Sequence, residues 1–223
     1  FEFRSKDPHP LWRSLWDGCV FVGSLVPALL LGVAFANLVR GVPIDAAMNY
    51  VGGFWNLLNP FALLGGIASL LLFTLHGAVF LTLKTSGDLL DDARRGAMRV
   101  WPLAAVALIG YFVAAYFATD LLTKPGIQPR VIPVIAAAAI LATGWFIGRR
   151  RLGWAFLMTA LSILASSLTT FLMLYPRVMI SSLNPGWSLT IYNAASGPNT
   201  LRVMSTVALV LVPIVLAYQA WSY

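Results

Sequence analysis

Charged side chains are scarce in this sequence, where Asp, Glu, Lys and Arg make up 10% of 223 residues. An ordinary soluble domain carries roughly 25%. Hydrophobic residues make up 59% of the chain. Because such a chain cannot cover its exterior with polar groups in water, the composition excludes a soluble domain and predicts an integral membrane protein.

Side chains that carry chemistry are also few. The single cysteine, Cys19, excludes an internal disulfide, and only His9 and His76 offer imidazole ligands for haem or metal. The sequence lacks a glycine-rich phosphate loop, zinc-ligand spacing, a nucleophile elbow and paired intramembrane carboxylates. The net charge of +7 lies between apolar runs, a pattern typical of membrane topology rather than of a nucleic-acid site. These features indicate a helical bundle without its own reactive centre, either a structural partner subunit or a passive conduit.

Long apolar runs dominate what is present. A helix that crosses roughly 30 Å of hydrocarbon needs about 20 residues, whereas a β-barrel would show alternating segments of about ten. The sequence therefore predicts an all-α, polytopic helical bundle. Its six transmembrane helices are expected at approximately 18–39, 60–83, 101–119, 131–148, 153–175 and 203–223.

The Lys and Arg residues between these runs predict the orientation. With residue 1 in the cytoplasm, ten of them fall on the cytoplasmic side and five on the outer side. Six spans then return the C-terminus to the cytoplasm. The loop from Ser86 to Arg99 is expected to form a short separate helix capped by Ser86, with its acids early and its arginines late. The segment 176–202 combines turn residues with Trp187 and Tyr192, which indicates an ordered cap on the outer face.

Two polar residues stand out at the first two spans. Asp17 precedes the first apolar run and could cap its helix or collect protons at the mouth of a water-filled path. His76 lies inside the second run. A structural hydrogen bond to a neighbouring helix is favoured for His76, since no second ligand accompanies it; a haem or metal ligand and a proton or quinone contact remain alternatives.

A stripe of small hydroxyl residues marks the fifth span. Its members share one helical face at offsets of 0, 4, 7 and 8, and are Ser162, Ser166, Thr169 and Thr170. The stripe is expected to pack closely against another helix and hydrogen-bond across the contact, with a polar conduit as the alternative. Gly32 and Ala36 form a further small pair. Pro27 and Pro213 interrupt two spans, which is weak support for the broken helices of a transporter.

Several motifs occur together in one order along the chain. They are FEFRSKDPHPLWRSLWD, GSLVPALLLGVAFANLVRGVPI, LLNPFALLGG, YPRVMISSLNPGWSLTIYNAASGPNTLRVM and VALVLVPIVLAYQAW. Over its whole length the sequence resembles subunit II of the bacterial cytochrome bd quinol oxidases. The resemblance implies nine helices, built as two four-helix bundles and a peripheral helix. The six spans would then be the last six, without the first three helices and the C-terminal tail.

The resemblance divides the single membrane domain into four parts. Residues 1–41 would hold the cytoplasmic entrance and the last helix of the first bundle, and 60–175 the second bundle. Residues 176–202 would form the outer cap and 203–223 the peripheral helix.

The resemblance also implies the function. Haems b and d would belong to subunit I, and this chain would stabilise the heterodimer in the bacterial cell membrane, with no haem or metal of its own. The complex would oxidise quinol on the outer side, reduce dioxygen to water and take protons from the cytoplasm. Glu2 and Asp17 match positions of family carboxylates and become proton-path candidates.

Membrane lipid, quinone and a small single-helix subunit are further expected partners, whereas nucleic acid is not. No residue here is assigned to the structural quinone that some relatives hold. A fragment of a secondary transporter and a pure assembly scaffold are the alternatives.

Overall fold

The computed structural model of the chain describes residues 2–119 and 131–222. Its helices, named in chain order, are α1 Glu2–Ser5, α2 Pro10–Arg40, α3 Pro60–Lys84, α4 Asp88–Ala118, α5 Ile132–Gly148, α6 Leu152–Leu174 and α7 Pro198–Ser222. Two short 3₁₀ turns, Phe54–Leu58 and Pro185–Trp187, and two short strands, β1 Arg177–Met179 and β2 Leu189–Thr190, complete the described elements. Two basic residues counted on the outer side, Lys124 and Arg130, lie outside the described residues.

The prediction of an all-α polytopic membrane protein is confirmed. Five helices, α2, α3, α4, α6 and α7, are long and apolar enough to cross a bilayer. α5 has 17 residues, which at 1.5 Å each gives about 25 Å, the lower limit for a spanning helix. All six predicted apolar runs are therefore helical in the described part of the chain.

Two helices begin earlier than their apolar runs. α2 starts at Pro10, with His9 as its N-cap, so the prediction that Asp17 caps this helix is wrong. Asp17 lies inside the helix, because the charges of Arg13 and Asp17 end the apolar run without ending the helix. α7 starts at Pro198 rather than near 203. Pro27 and Pro213 both lie within continuous helices.

The separate helix expected between Ser86 and Arg99 is also not found. This segment and the third span form one helix, α4, whose N-cap is Gly87 without a side-chain cap. Ser86 therefore does not cap it. Asp88 and Asp91 do occupy the first turn, where negative charge is favoured by the helix dipole. Since Pro102 is tolerated inside the helix, nothing divides the polar turns from the apolar ones.

α2 and α3 pack closely because both carry small residues at their contact. A Cβ added at Gly65 of α3 would lie 2.6 Å from the Cβ of Ala36 on α2. Gly32 of α2 in turn faces the backbone of Gly65 and Gly66. The small pair Gly32 and Ala36 thus lies at a helix contact, where absent side chains let two backbones approach.

A buried amide network joins the same two helices at one end. Asn37, which is 4% exposed, donates to the carbonyl of Leu57 at 2.7 Å and accepts from Asn59 at 2.8 Å. The Asn59 side chain also accepts from the backbone N–H of Ala62, so it caps α3, and Pro60 follows at the first helical position. The motif LLNPFALLGG therefore encodes a helix start and the glycines that pack against α2.

The four helices α3 to α6 form a closed ring, in which each packs against its two neighbours. Its core includes Leu75, Ile140 and Ile147, each fully buried. At the contact of α4 and α5, the Trp101 indole lies against Gly144 and donates to the carbonyl of Ile140 at 2.7 Å. α2 packs mainly against α3 and also contacts α4 and α6. Among the described elements, α7 contacts none and buries none of its residues. The division into two bundles stays a prediction.

The segment between α6 and α7 is ordered by its own hydrogen bonds and by the loop after α2. The N–H of Val42 donates to Ile180, and the N–H of Ser182 donates back to Val42, both at 2.9 Å. The hydroxyl of Ser181 donates to the carbonyl of Ile44 at 2.8 Å. These bonds tie two loops that are far apart in sequence over the same end of the bundle.

Candidate functional site

The entrance of α2 holds the acid that the sequence singles out. Arg4, at the end of α1, contacts Asp17 with two hydrogen bonds, from Nε to Oδ1 at 2.5 Å and from Nη2 to Oδ2 at 3.1 Å. The two side chains remain 42% and 55% exposed. The hydrogen bond to Asp17 raises the pKa of the Arg4 guanidinium above its ordinary value. The arginine therefore stays charged, and the carboxylate is held in its ionised form by a forked partner.

Aromatic side chains position this ion pair. The ring of Phe3 stacks on Trp16 at 5.3 Å, and the Trp12 indole donates to the Phe3 carbonyl at 2.7 Å. The turn between α1 and α2 is fixed by Asp7, whose side chain accepts from the N–H of His9 at 2.8 Å. The pairing of Arg4 with Asp17 depends on this turn, and sequence spacing alone did not indicate it.

Glu2, the second proton-path candidate, lies in the first turn of α1 and is exposed. Within the part of the chain that the structure describes, its carboxylate joins no ion pair and does not contact Asp17. The two acids therefore share one end of the molecule, but the structure does not assemble them into one site.

His76 lies between α3 and α6. Its Nδ1 is 2.8 Å from the hydroxyl oxygen of Thr159, and its ring stacks on Phe156 at 4.8 Å between centroids. The Thr159 hydroxyl donates its one proton to the carbonyl of Phe156 at 2.8 Å. The network therefore assigns the proton to Nδ1 of His76, which donates to Thr159, and leaves Nε2 as an acceptor. Within residues 2–119 and 131–222, no group of three or more His, Cys, Asp or Glu side chains could hold a metal ion.

The hydroxyl residues of the α6 stripe form two kinds of hydrogen bond, one kind between helices and one kind within α6. Ser162 donates to the carbonyl of Ala136 on α5 at 3.1 Å, a bond between helices. Ser166, Thr169 and Thr170 instead donate to carbonyls four residues earlier in α6. The expected hydrogen bond across the contact is thus found for one member. The other three hydroxyls form their hydrogen bonds within α6, as hydroxyls in helices commonly do.

A cavity of about 120 Å³ lies among α2, α3, α4 and α6. Apolar side chains line most of it, together with Ser69, Tyr111, Ser166 and Thr170. Tyr111 is 8% exposed, and its hydroxyl makes no hydrogen bond to the described residues. Sequence reasoning missed this tyrosine, since an aromatic residue inside an apolar run carries no signal for a cavity.

Comparisons with known proteins identify the family. The family model for cytochrome bd terminal oxidase subunit II matches residues 1–223. The chain is 40% identical over 223 residues to cytochrome bd ubiquinol oxidase subunit 2 of Bacillus subtilis. It is 37% identical over 255 residues to a probable cytochrome oxidase subunit 2 of Haemophilus influenzae, and 35% identical over 256 residues to cytochrome bd-I ubiquinol oxidase subunit 2 of Escherichia coli K12.

The matches include all of this chain and 66%, 68% and 68% of the three relatives. The chain thus spans about two thirds of their length. The motifs quoted from the sequence agree with this match, as does the bundle of apolar helices in the structure. The chain therefore belongs to the cytochrome bd terminal oxidase subunit II family.

Proposed function

We propose that this chain is the haem-free subunit II of a cytochrome bd-type oxidase, which stabilises a haem-bearing subunit I. The complex would use quinol to reduce dioxygen to water, with haems b and d in the partner. The family match along the whole chain carries this proposal. Both histidines also have structural bonds, because His9 caps α2 and His76 is held by Thr159 and Phe156.

We further propose that Asp17 contributes to proton entry from the cytoplasm. Reduction of dioxygen to water consumes one proton for each electron, so a carboxylate at an entrance can supply protons to the complex. The fork of Arg4 occupies both oxygens of Asp17. The positive charge of Arg4 disfavours protonation of Asp17 while the pair is closed, so Asp17 accepts a proton more readily when Arg4 turns away, which the exposure of both side chains permits. Arg4 would thus control when Asp17 accepts a proton.

The test uses the whole complex in proteoliposomes with quinol as the electron donor. Asp17→Asn is expected to lower oxygen consumption and proton uptake several-fold, more strongly at high pH, where protons are scarce. Asp92→Asn is the matched control, because Asp92 is also an exposed carboxylate paired with an arginine, Arg95. Unchanged rates in Asp17→Asn would support a pure assembly scaffold instead.

The transporter alternative has less support. Transporters build midplane sites from interrupted helices, whereas α2 and α7 continue through Pro27 and Pro213. A purified complex with no haem b or d absorption and no larger partner subunit would favour the transporter alternative instead.

A structural quinone does not fit the cavity described above. Its volume of about 120 Å³ is below the roughly 150 Å³ of a cavity that admits benzene, and a substituted quinone ring is larger than benzene. No step of the proposed function is assigned to it.

A further inference from the structure

Three consecutive arginines, Arg149, Arg150 and Arg151, form the tight turn between α5 and α6, and all three are exposed. Arginines after a helix commonly bond its last carbonyls. Here Arg94 of α4 does so instead, donating to the carbonyls of Ile147 at 3.0 Å and Gly148 at 3.2 Å. The backbone N–H groups of the three turn arginines close α5 by bonding the carbonyls of Trp145, Phe146 and Ile147. Their side chains are therefore not needed as caps.

The backbone of this turn is strained at Arg150, which has a positive φ. Arg150 has a φ of +56°, in the left-handed region where glycine or asparagine is the usual residue after a helix. Its guanidinium lies 3.4 Å from Asp91, so its charge has a partner. The strained turn projects the two flanking arginines from one short stretch of backbone.

The guanidinium N–H groups of Arg149 and Arg151 make no hydrogen bond to the described residues, although that of Arg149 contacts an aromatic ring. Neither forms an ion pair with a carboxylate in the described ranges, and the guanidinium of Arg149 lies 5.7 Å from the ring centre of Trp145. Both therefore present donors that are not already used within the chain.

The start of α6 adds further donors at the same place. Arg151 is the N-cap of α6, and no side chain caps the helix, so the first N–H groups lack partners within it. A Cβ added at Gly153 would meet nothing within 4 Å, so the side of this first turn is open. A helix start with free N–H groups attracts anions, above all beside arginines.

Two tryptophans indicate where this turn lies in the membrane. Trp145 and Trp154 flank the arginines, and each is 55% exposed. Exposed tryptophans at the ends of spanning helices lie at the level of the lipid headgroups. The free donors of the turn are thus at the depth where phospholipids carry their phosphates.

We propose that the Arg149–Arg151 turn, together with the first N–H groups of α6, binds the phosphate of an anionic phospholipid headgroup. Arg149 and Arg151 donate to the phosphate oxygens, and Trp145 and Trp154 contact the adjoining glycerol and acyl region. Net negative lipids such as phosphatidylglycerol are preferred over phosphatidylcholine, whose quaternary ammonium the arginines repel.

The test is lipid retention by the intact complex, measured by native mass spectrometry after titration with phosphatidylglycerol or phosphatidylcholine. Each arginine near an anionic lipid surface contributes about fivefold in affinity. Arg149→Gln combined with Arg151→Gln is therefore expected to lower the preference for phosphatidylglycerol about 25-fold. Lys84→Gln combined with Arg99→Gln is the matched control, since it removes two exposed charges from the same end of the bundle. The control is expected to keep most of the preference.

Equal losses in the two double variants would overturn the proposal, because they would assign the preference to diffuse charge. An unchanged preference for phosphatidylglycerol in Arg149→Gln with Arg151→Gln would overturn it too. Competition by millimolar inorganic phosphate would assign the site to free phosphate rather than to a lipid. Arg149→Lys with Arg151→Lys keeps the charges that set topology, so it guards against misinsertion. Since lysine lacks the forked donors, this pair is expected to bind phosphatidylglycerol several-fold more weakly, and full binding would contradict the proposed recognition.

Discussion

The contact of α2 with α3 offers a sharp test, because a single methyl group at Gly65 has no room. The new Cβ would lie 2.6 Å from the Cβ of Ala36 and 3.2 Å from the carbonyl oxygen of Gly32. Ordinary contacts of this kind are 3.4–4 Å. The helices must therefore separate by about 1 Å, and overpacking of this kind costs about 1–3 kcal/mol.

Gly77→Ala is the matched control on the same helix. A Cβ at Gly77 meets nothing within 4 Å, so this change keeps the gain in helix propensity, up to about 1 kcal/mol, without a clash. The difference between the two variants isolates the packing cost of about 1–3 kcal/mol. For a chain of this size, each kcal/mol shifts the melting temperature by about 2–4 °C.

Thermal unfolding of the purified complex in detergent measures this difference. Gly65→Ala is expected to melt about 2–12 °C below Gly77→Ala. Equal melting temperatures would refute the reasoning, because they would mean that α2 and α3 do not approach as closely as described.

Two further substitutions test polar contacts inside the bundle. Thr159→Val leaves Nδ1 of His76 without its acceptor and is expected to lower the free energy of unfolding by about 1–3 kcal/mol. Thr169→Val loses only a bond within its own helix and should cost less. A larger cost for Thr169→Val would contradict the hydrogen bond between His76 and Thr159. Asn37→Ala removes a buried donor from the carbonyl of Leu57, and a fall in melting temperature that reflects about 1–3 kcal/mol is expected, whereas an unchanged value would show that the network adds nothing.

The apolar runs predicted the helices well and their ends poorly. Hydropathy finds the part of a helix that meets hydrocarbon, but backbone hydrogen bonds continue as long as the residues permit. α2 therefore extends back through eight residues to Pro10, and α4 through the charged turns from Asp88 to Arg99. A charge marks the end of an apolar surface rather than the end of a helix.

The sequence named candidate residues but not their partners. His76 and Thr159 are 83 residues apart, and Arg4 reaches Asp17 only because a turn folds α1 back on α2. Thr159 lies three residues before Ser162, close to the same face, so extending the stripe would have included it. The empty space around Tyr111 depends on how four helices pack, which no spacing rule gives.

The central claim is that this chain supports a haem-bearing partner without ligating haem itself. The direct measurement is haem content per complex, from absorption bands and pyridine haemochrome assays, in a variant that combines His9→Asn with His76→Asn. Asparagine keeps a side chain able to cap α2 and to bond Thr159. The account predicts the same haem b and haem d content per complex as in the wild type. Loss of one haem from each assembled complex would contradict it.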